Sequence, residues 1–119
     1  MKYLLLIYES EQAGAGASEA EQGKIYQEYM DYTKRIRKNG NYIAGEALQP
    51  VSTATTVRVK NGKTLTTDGP FAETREQLGG FYMVEAKDLD EAIALATGIP
   101  ALRTGAIEVR PIMPTPPVE

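Results

Sequence analysis

The 119-residue chain contains no cysteine and no histidine. Without cysteine there is no disulfide, thiolate nucleophile, iron–sulfur cluster or thiolate zinc site. Without histidine the usual near-neutral acid–base group is missing, together with imidazole metal ligands and any Ser-His-Asp triad. Carboxylates, tyrosines, lysines, arginines and backbone amides remain for chemistry. Strong charge of one sign is also absent, since 13 Lys and Arg stand against 16 Asp and Glu for a net −3. That balance gives no sign of nucleic acid or an anionic membrane as a direct partner. No apolar run approaches the ~18 residues of a membrane span. The opening run Tyr3–Tyr8 is short, ends at Glu9 and lacks a cleavage pattern, so it reads as a strand and not a signal peptide. A cytoplasmic location is the expectation. The length implies one domain, over residues 1–113, and an extended tail over residues 114–119 containing Pro116-Pro117.

The first strand is apolar on both faces, as a doubly buried strand would be. Glu9 to Ala17 is polar and Gly/Ala-rich, which predicts a loop. Ser18 and Glu21 match a capping box, and Ile25, Tyr29, Tyr32, Thr33 and Ile36 form one helical stripe behind it. Lys34, Arg35, Arg37 and Lys38 complement the helix dipole, and Asn39-Gly40 supplies the stop. Tyr42 to Leu48 reads as a second strand, with Gly45 permitting close approach or a bulge. Asn61-Gly62 joins two β-branched segments, Thr55–Lys60 and Lys63–Thr67, in a predicted polar hairpin. Gly79 to Ala86 is another strand apolar on both faces. Asp88 and Glu91 start a second, shorter helix that Gly98 closes, and Ala106 to Ile112 is the last strand. Without the hairpin the order is βαββαβ, the ferredoxin-like split arrangement of the α+β class. Two helices cover one sheet face only. An apolar second face calls for a partner, and a homodimer packed sheet to sheet, with cavities between the sheets, answers that need.

The stretch Thr67 to Gly80, T-D-G-P-F-A-E-T-R-E-Q-L-G-G, carries the densest set of candidate functional residues. Gly69 and Pro70 form a rigid turn that would aim the Asp68 carboxylate, the candidate catalytic group. Desolvation in an apolar cavity would raise its pKa toward general acid–base values. Alternatively Asp68 is a turn residue whose carboxylate accepts bonds from its own turn's amides. Glu73, Arg75 and Glu76 either orient a polar ligand or pair among themselves, and Arg75 can grip a carboxylate in bidentate fashion. Glu46, Tyr82 and Arg110 lie on strands expected to border the same cavity. Phe71 is read as a hydrophobic anchor of the loop, and Gly79-Gly80 as a bulge or close backbone approach. Asp88 and Asp90 fit helix capping and no spacing matches a calcium loop, so neither metal nor cofactor is expected.

The segment from Asp68-Gly69-Pro70-Phe71 through Gly80-Phe81-Tyr82 resembles the signature of the YciI-like (YCII-related) family, in its DGPF-domain branch. The likeness extends from Lys2-Tyr3 through Gly45–Pro50 to Glu108-Val109-Arg110-Pro111, although this branch often has Lys where Arg75 stands. The resemblance implies a dimeric α+β-barrel fold but no activity. Some members are associated with extracytoplasmic-function sigma factors, and related proteins include a lyase-type dehydrochlorinase. The His-Asp pair of some YciI-like proteins cannot operate in a chain without histidine. Two functions follow as expectations. One is a homodimer binding a small polar or aromatic molecule near Asp68, with cofactor-free acid–base chemistry of lyase or isomerase type. The other is a non-enzymatic interaction or regulatory module, serving for instance a sigma factor through the hairpin Thr55–Thr67.

Overall fold

The computed structural model describes residues 1–118. The chain runs through β1 (Lys2–Glu9), a one-turn helix α1 (Glu11–Gly14), the long helix α2 (Glu19–Lys38) and β2 (Tyr42–Ala47). It continues through β3 (Thr55–Lys60), β4 (Lys63–Asp68), β5 (Gln77–Glu85), α3 (Leu89–Ala96) and β6 (Ala106–Pro111). Four strands form an antiparallel sheet in the order β2-β5-β1-β6, and β3 pairs with β4 as a separate hairpin. This is an α+β fold with antiparallel sheets and three helices, consistent with the expected ferredoxin-like arrangement. No helix among the described residues is long and apolar enough to cross a membrane.

Period-two alternation divides the two central strands. Tyr3, Leu5 and Ile7 of β1 and Tyr82 and Val84 of β5 join Tyr32, Ile36, Ala92, Ala96 and Ile99 in one core. Leu5 and Val84 are wholly buried, and each contributes roughly 1.5–3 kcal/mol by leaving water. On the opposite face stand Leu4, Leu6, Phe81 and Met83, which take no part in that core.

Local chemistry explains the helices. The Ser18 hydroxyl accepts from the Glu21 amide at 3.1 Å, and the Asp88 carboxylate accepts from the Glu91 amide at 2.9 Å. Each satisfies a first-turn donor that has no helical partner. The Glu91 carboxylate accepts from the Asn41 side chain at 3.2 Å, which ties α3 to the entry of β2. Tyr32 donates its phenol proton to the Leu95 carbonyl at 2.7 Å and so locks α2 to α3. Ile25 belongs to the same stripe by spacing but remains exposed, because the core ends before the first turns of α2.

Three expectations need correction. The predicted loop from Glu9 to Ala17 contains the end of β1 and helix α1. The Ser10 hydroxyl caps α1 by accepting from Ala13, while Glu11 accepts from the Val51 amide at 3.0 Å and donates its own amide to Gln77 at 2.9 Å. These polar side chains order backbone that composition alone marks as loose. Val51–Thr53 between β2 and β3 forms a 3-10 turn. The long loop after the hairpin is only residues 69–76, because β4 extends through Asp68 and β5 begins at Gln77. Phe71 is not a buried anchor: it is 74% exposed and lies under the Arg58 guanidinium, 4.8 Å from ring centroid to Cζ. Of the predicted tail, residues 114–118 carry no regular structure and Glu119 lies outside the described residues.

The hairpin behaves as its turn residues dictate. Asn61 and Gly62 adopt φ of 53° and 76°, the left-handed values of a type I′ turn. It projects from the body, leaving Val57 and Val59 62% and 72% exposed. The radius of gyration is accordingly 16.5 Å, against about 13.5 Å for a compact chain of this length.

Candidate functional site

The middle of α2, from Tyr26 to Thr33, passes over a part of the sheet where two positions are glycine. Gly45 and Gly80 both face it, and neither position tolerates a Cβ. At Gly45 that atom would stand 2.8 Å from Cδ1 of Tyr82, and at Gly80 2.8 Å from the Glu46 carbonyl oxygen. Gly79 is the extra residue of a bulge, since Ile7 pairs with Gly80 and Tyr8 with Leu78. The sequence expectation of close approach or bulge at Gly79-Gly80 therefore holds for both residues. The close approach expected at Gly45 also holds, while the bulge in β2 falls at Ile43, between Tyr42 and Ala44.

Bare backbone beneath a helix anchored further along by Tyr32 and Ile36 leaves a cavity of about 560 Å³. Its roof is Tyr26, Tyr29, Met30 and Thr33 of α2. Its floor and walls come from Tyr42, Gly45, Glu46, Gly80, Phe81 and Tyr82, with Ile7 and Glu9 from β1. The size suits a small molecule. Apolar and aromatic surface dominates, with a few polar groups at defined places. The Thr33 hydroxyl donates to the Tyr29 carbonyl at 2.8 Å and lies 2.8 Å from the Tyr82 hydroxyl. A hydroxyl has one proton, so Tyr82 is the donor in the second bond and its oxygen keeps free lone pairs. The Tyr82 ring is fixed by edge contacts with Tyr32 and Tyr42, at centroid distances of 5.2 and 6.4 Å. Burial pushes the Tyr29 phenol up to about 12, assisted by the nearby Glu9 carboxylate. Burial also raises Tyr82, against the opposing effect of its bond to Thr33. Both phenols therefore act near neutrality as hydrogen-bonding groups and not as phenolates.

The sequence candidates divide between two places. Tyr82, Glu46, Gly79 and Gly80 line this cavity. Arg75 lines a shallower depression with Tyr8, Thr74, Glu76 and Glu108, where residues 69–76 meet β6. Arg110 is ion-paired with Glu108 through contacts from Nε and Nη2. Asp68 and Glu73 are exposed and line neither cavity. Asp68 ends β4 opposite Thr55, and Gly69 follows with φ of 109°. That turn is closed by other groups: the Gly69 amide donates to the Ala54 carbonyl at 2.8 Å, and the Thr56 hydroxyl donates to the Gly69 carbonyl at 2.8 Å. The structure thus separates Asp68 from Tyr82 and Glu46, which the sequence grouped around one cavity. Tyr29, Thr33, Tyr42 and Glu9 are the lining residues that sequence reasoning assigned no site role. Tyr26 and Met30, which prolong the apolar side of α2 past the core, were the available signal.

Fold and site together define a small α+β protein with one glycine-floored, tyrosine-lined cavity under its long helix. Comparison with known proteins places it further. The model of the YCII-related domain matches residues 1–116. A protein of Rhizobium meliloti (strain 1021), described only as uncharacterized, is 34% identical over 114 residues, 94% of this chain and 92% of the relative. The chain belongs to the YCII-related family, as its signature segment indicated.

The raised tyrosine carries a pH signature. Tyr29 titrates at about 12 when folded and at the ordinary 10.0 when unfolded. Between those values the unfolded chain releases its proton first, so stability is complete below the lower value and falls as pH rises through the window. Melting temperatures measured across that range should drop, and Tyr29→Phe should flatten part of the decline. An unchanged slope in the variant would show that Tyr29 is not the group responsible.

Proposed function

We propose that this protein is a cytoplasmic homodimer that binds a small aromatic or polar molecule in the cavity beneath α2. The observation that carries the reading is the cavity's composition: four tyrosines around a floor of bare backbone, with the Tyr82 oxygen free to accept. Such a site supplies apolar area and ring contacts for affinity and a few fixed polar groups for orientation. Isothermal titration with benzyl alcohol, a neutral aromatic of suitable size, tests it. Saturable one-to-one binding is expected, weakened roughly fivefold in Tyr82→Phe by loss of one hydrogen bond. Absence of saturable binding would remove the reading.

The dimer is supported by Leu4, Leu6, Phe81 and Met83 on the sheet face away from the helices, and by the projecting hairpin with Val57, Val59 and Phe71 in solvent. A second copy stacked on that face would cover both and close the barrel. It would also bring new surroundings to Asp68, Arg75 and Arg110, and acid–base chemistry of lyase or isomerase type at Asp68 belongs to that closed state. Sedimentation equilibrium at micromolar concentration should give about twice the 13.0 kDa chain mass, and a single monomeric species would contradict the dimer.

The exposed hairpin also favours a second reading. Its apolar tips and the Arg58–Phe71 stack would suit a protein partner such as a sigma factor. In that case charge reversal at Arg58 abolishes the association while benzyl alcohol binding persists.

A further inference from the structure

The charge inside the cavity narrows the ligand, and this step rests on the small-molecule reading above. Its lining contains one carboxylate on the helix-facing side, that of Glu9, and neither lysine nor arginine; Glu46 contributes backbone, because it pairs with Phe81 on the face opposite to Gly45 and Tyr82. Across the whole chain the two signs are nearly balanced, so a lining of one sign is a local property. Glu9 stands on the helix-facing side of β1, where its carboxylate accepts from the Thr104 hydroxyl at 2.9 Å. One bond leaves most of the acceptor capacity of that carboxylate unused. Two arginines beside lining residues, Arg103 near Tyr29 and Arg37 near Tyr42, are already partnered. Arg103 forms a bidentate pair with Glu28 at 2.8 and 2.9 Å, and Arg37 lies on the Tyr42 ring with Cζ 4.6 Å from its centroid.

The available hydrogen-bonding groups carry the same polarity. The proton of Thr33 goes to the Tyr29 carbonyl and that of Tyr82 to Thr33. Both hydroxyls therefore meet a ligand with lone pairs. An anionic ligand would face carboxylate repulsion and find no charged donor among the lining residues. A protonated amine finds carboxylate, phenol oxygen and ring faces, all of which attract it.

We propose that the cavity is selective for a small primary ammonium compound with an aromatic or similarly flat apolar body. Its ammonium group would sit toward Glu9 and the Tyr82 oxygen, and its body would lie over Gly45 and Gly80. Burial is the main cause of the raised Tyr29 phenol, and the Glu9 carboxylate adds to it.

Three probes of one size and different charge test this on the full chain at pH 7.5: benzylammonium, benzyl alcohol and benzoate. Isothermal titration should rank benzylammonium roughly tenfold tighter than benzyl alcohol, with benzoate weakest. In 0.5 M sodium chloride the wild-type preference for benzylammonium should shrink while benzyl alcohol binding holds. Glu9→Gln, which keeps the shape and an acceptor for Thr104, should reduce the ratio of benzylammonium to benzyl alcohol affinity severalfold. If benzoate binds as tightly as benzylammonium, or the preference survives both salt and Glu9→Gln, ammonium selectivity is wrong although the cavity binds. If none of the three binds, the small-molecule reading falls with it.

Discussion

The antiparallel pairing of β1 with β5 is the constraint on which the rest depends. It sets Leu5 opposite Tyr82 and Leu6 opposite Phe81, so each face of the sheet receives a complete set of large apolar groups. One face is covered by α2 and α3, whose Tyr32, Ile36, Ala92 and Ala96 complete the core. No helix among the described residues packs on the other face, where Leu4, Leu6, Phe81 and Met83 are half-buried. Everything assigned to the protein follows from how those two faces are used.

On the helix face, close packing requires the glycines. A glycine inside a strand is unfavourable by roughly 0.5–1 kcal/mol against alanine. At Gly45 and Gly80, however, any larger residue would collide with the Tyr82 ring or the Glu46 carbonyl. The cavity is a consequence of that packing. Beneath the middle of α2 the sheet presents backbone at Gly45 and Gly80, and Tyr82, braced by Tyr32, Tyr42 and Thr33, stands at its border. A rigid aromatic border with an acceptor oxygen is suited to recognition. A deformable core would collapse into such a void.

Much of the fold was legible in the sequence because its cues are local. The caps at Ser18 and Asp88, the Asn61-Gly62 turn and the alternation in β1 and β5 each fix their own segment. The helix between Glu11 and Gly14 was not legible, since beyond its Ser10 cap its order comes from Gln77 and Val51, which are distant in sequence. The site was half legible. Gly45, Glu46, Gly79, Gly80 and Tyr82 stood out as unusual within strands. Tyr29, Thr33 and Tyr42 did not, because a helical stripe that lines a cavity has the same spacing as one that fills a core. Asp68 drew attention because turn chemistry and site chemistry use the same residues. The structure sets it at the exposed end of β4 and closes its turn through Ala54 and Thr56. It therefore lies outside the cavity under α2.

The central claim is that ligand enters between α2 and the glycine floor. Amide chemical-shift mapping of the 15N-labelled protein during addition of benzyl alcohol tests it most directly. The account predicts saturable shifts at Met30, Thr33, Gly45, Gly80 and Tyr82, with Asp68, Thr74 and Arg75 unmoved. Shifts confined to residues 68–76, or spread without saturation over the surface, would contradict it.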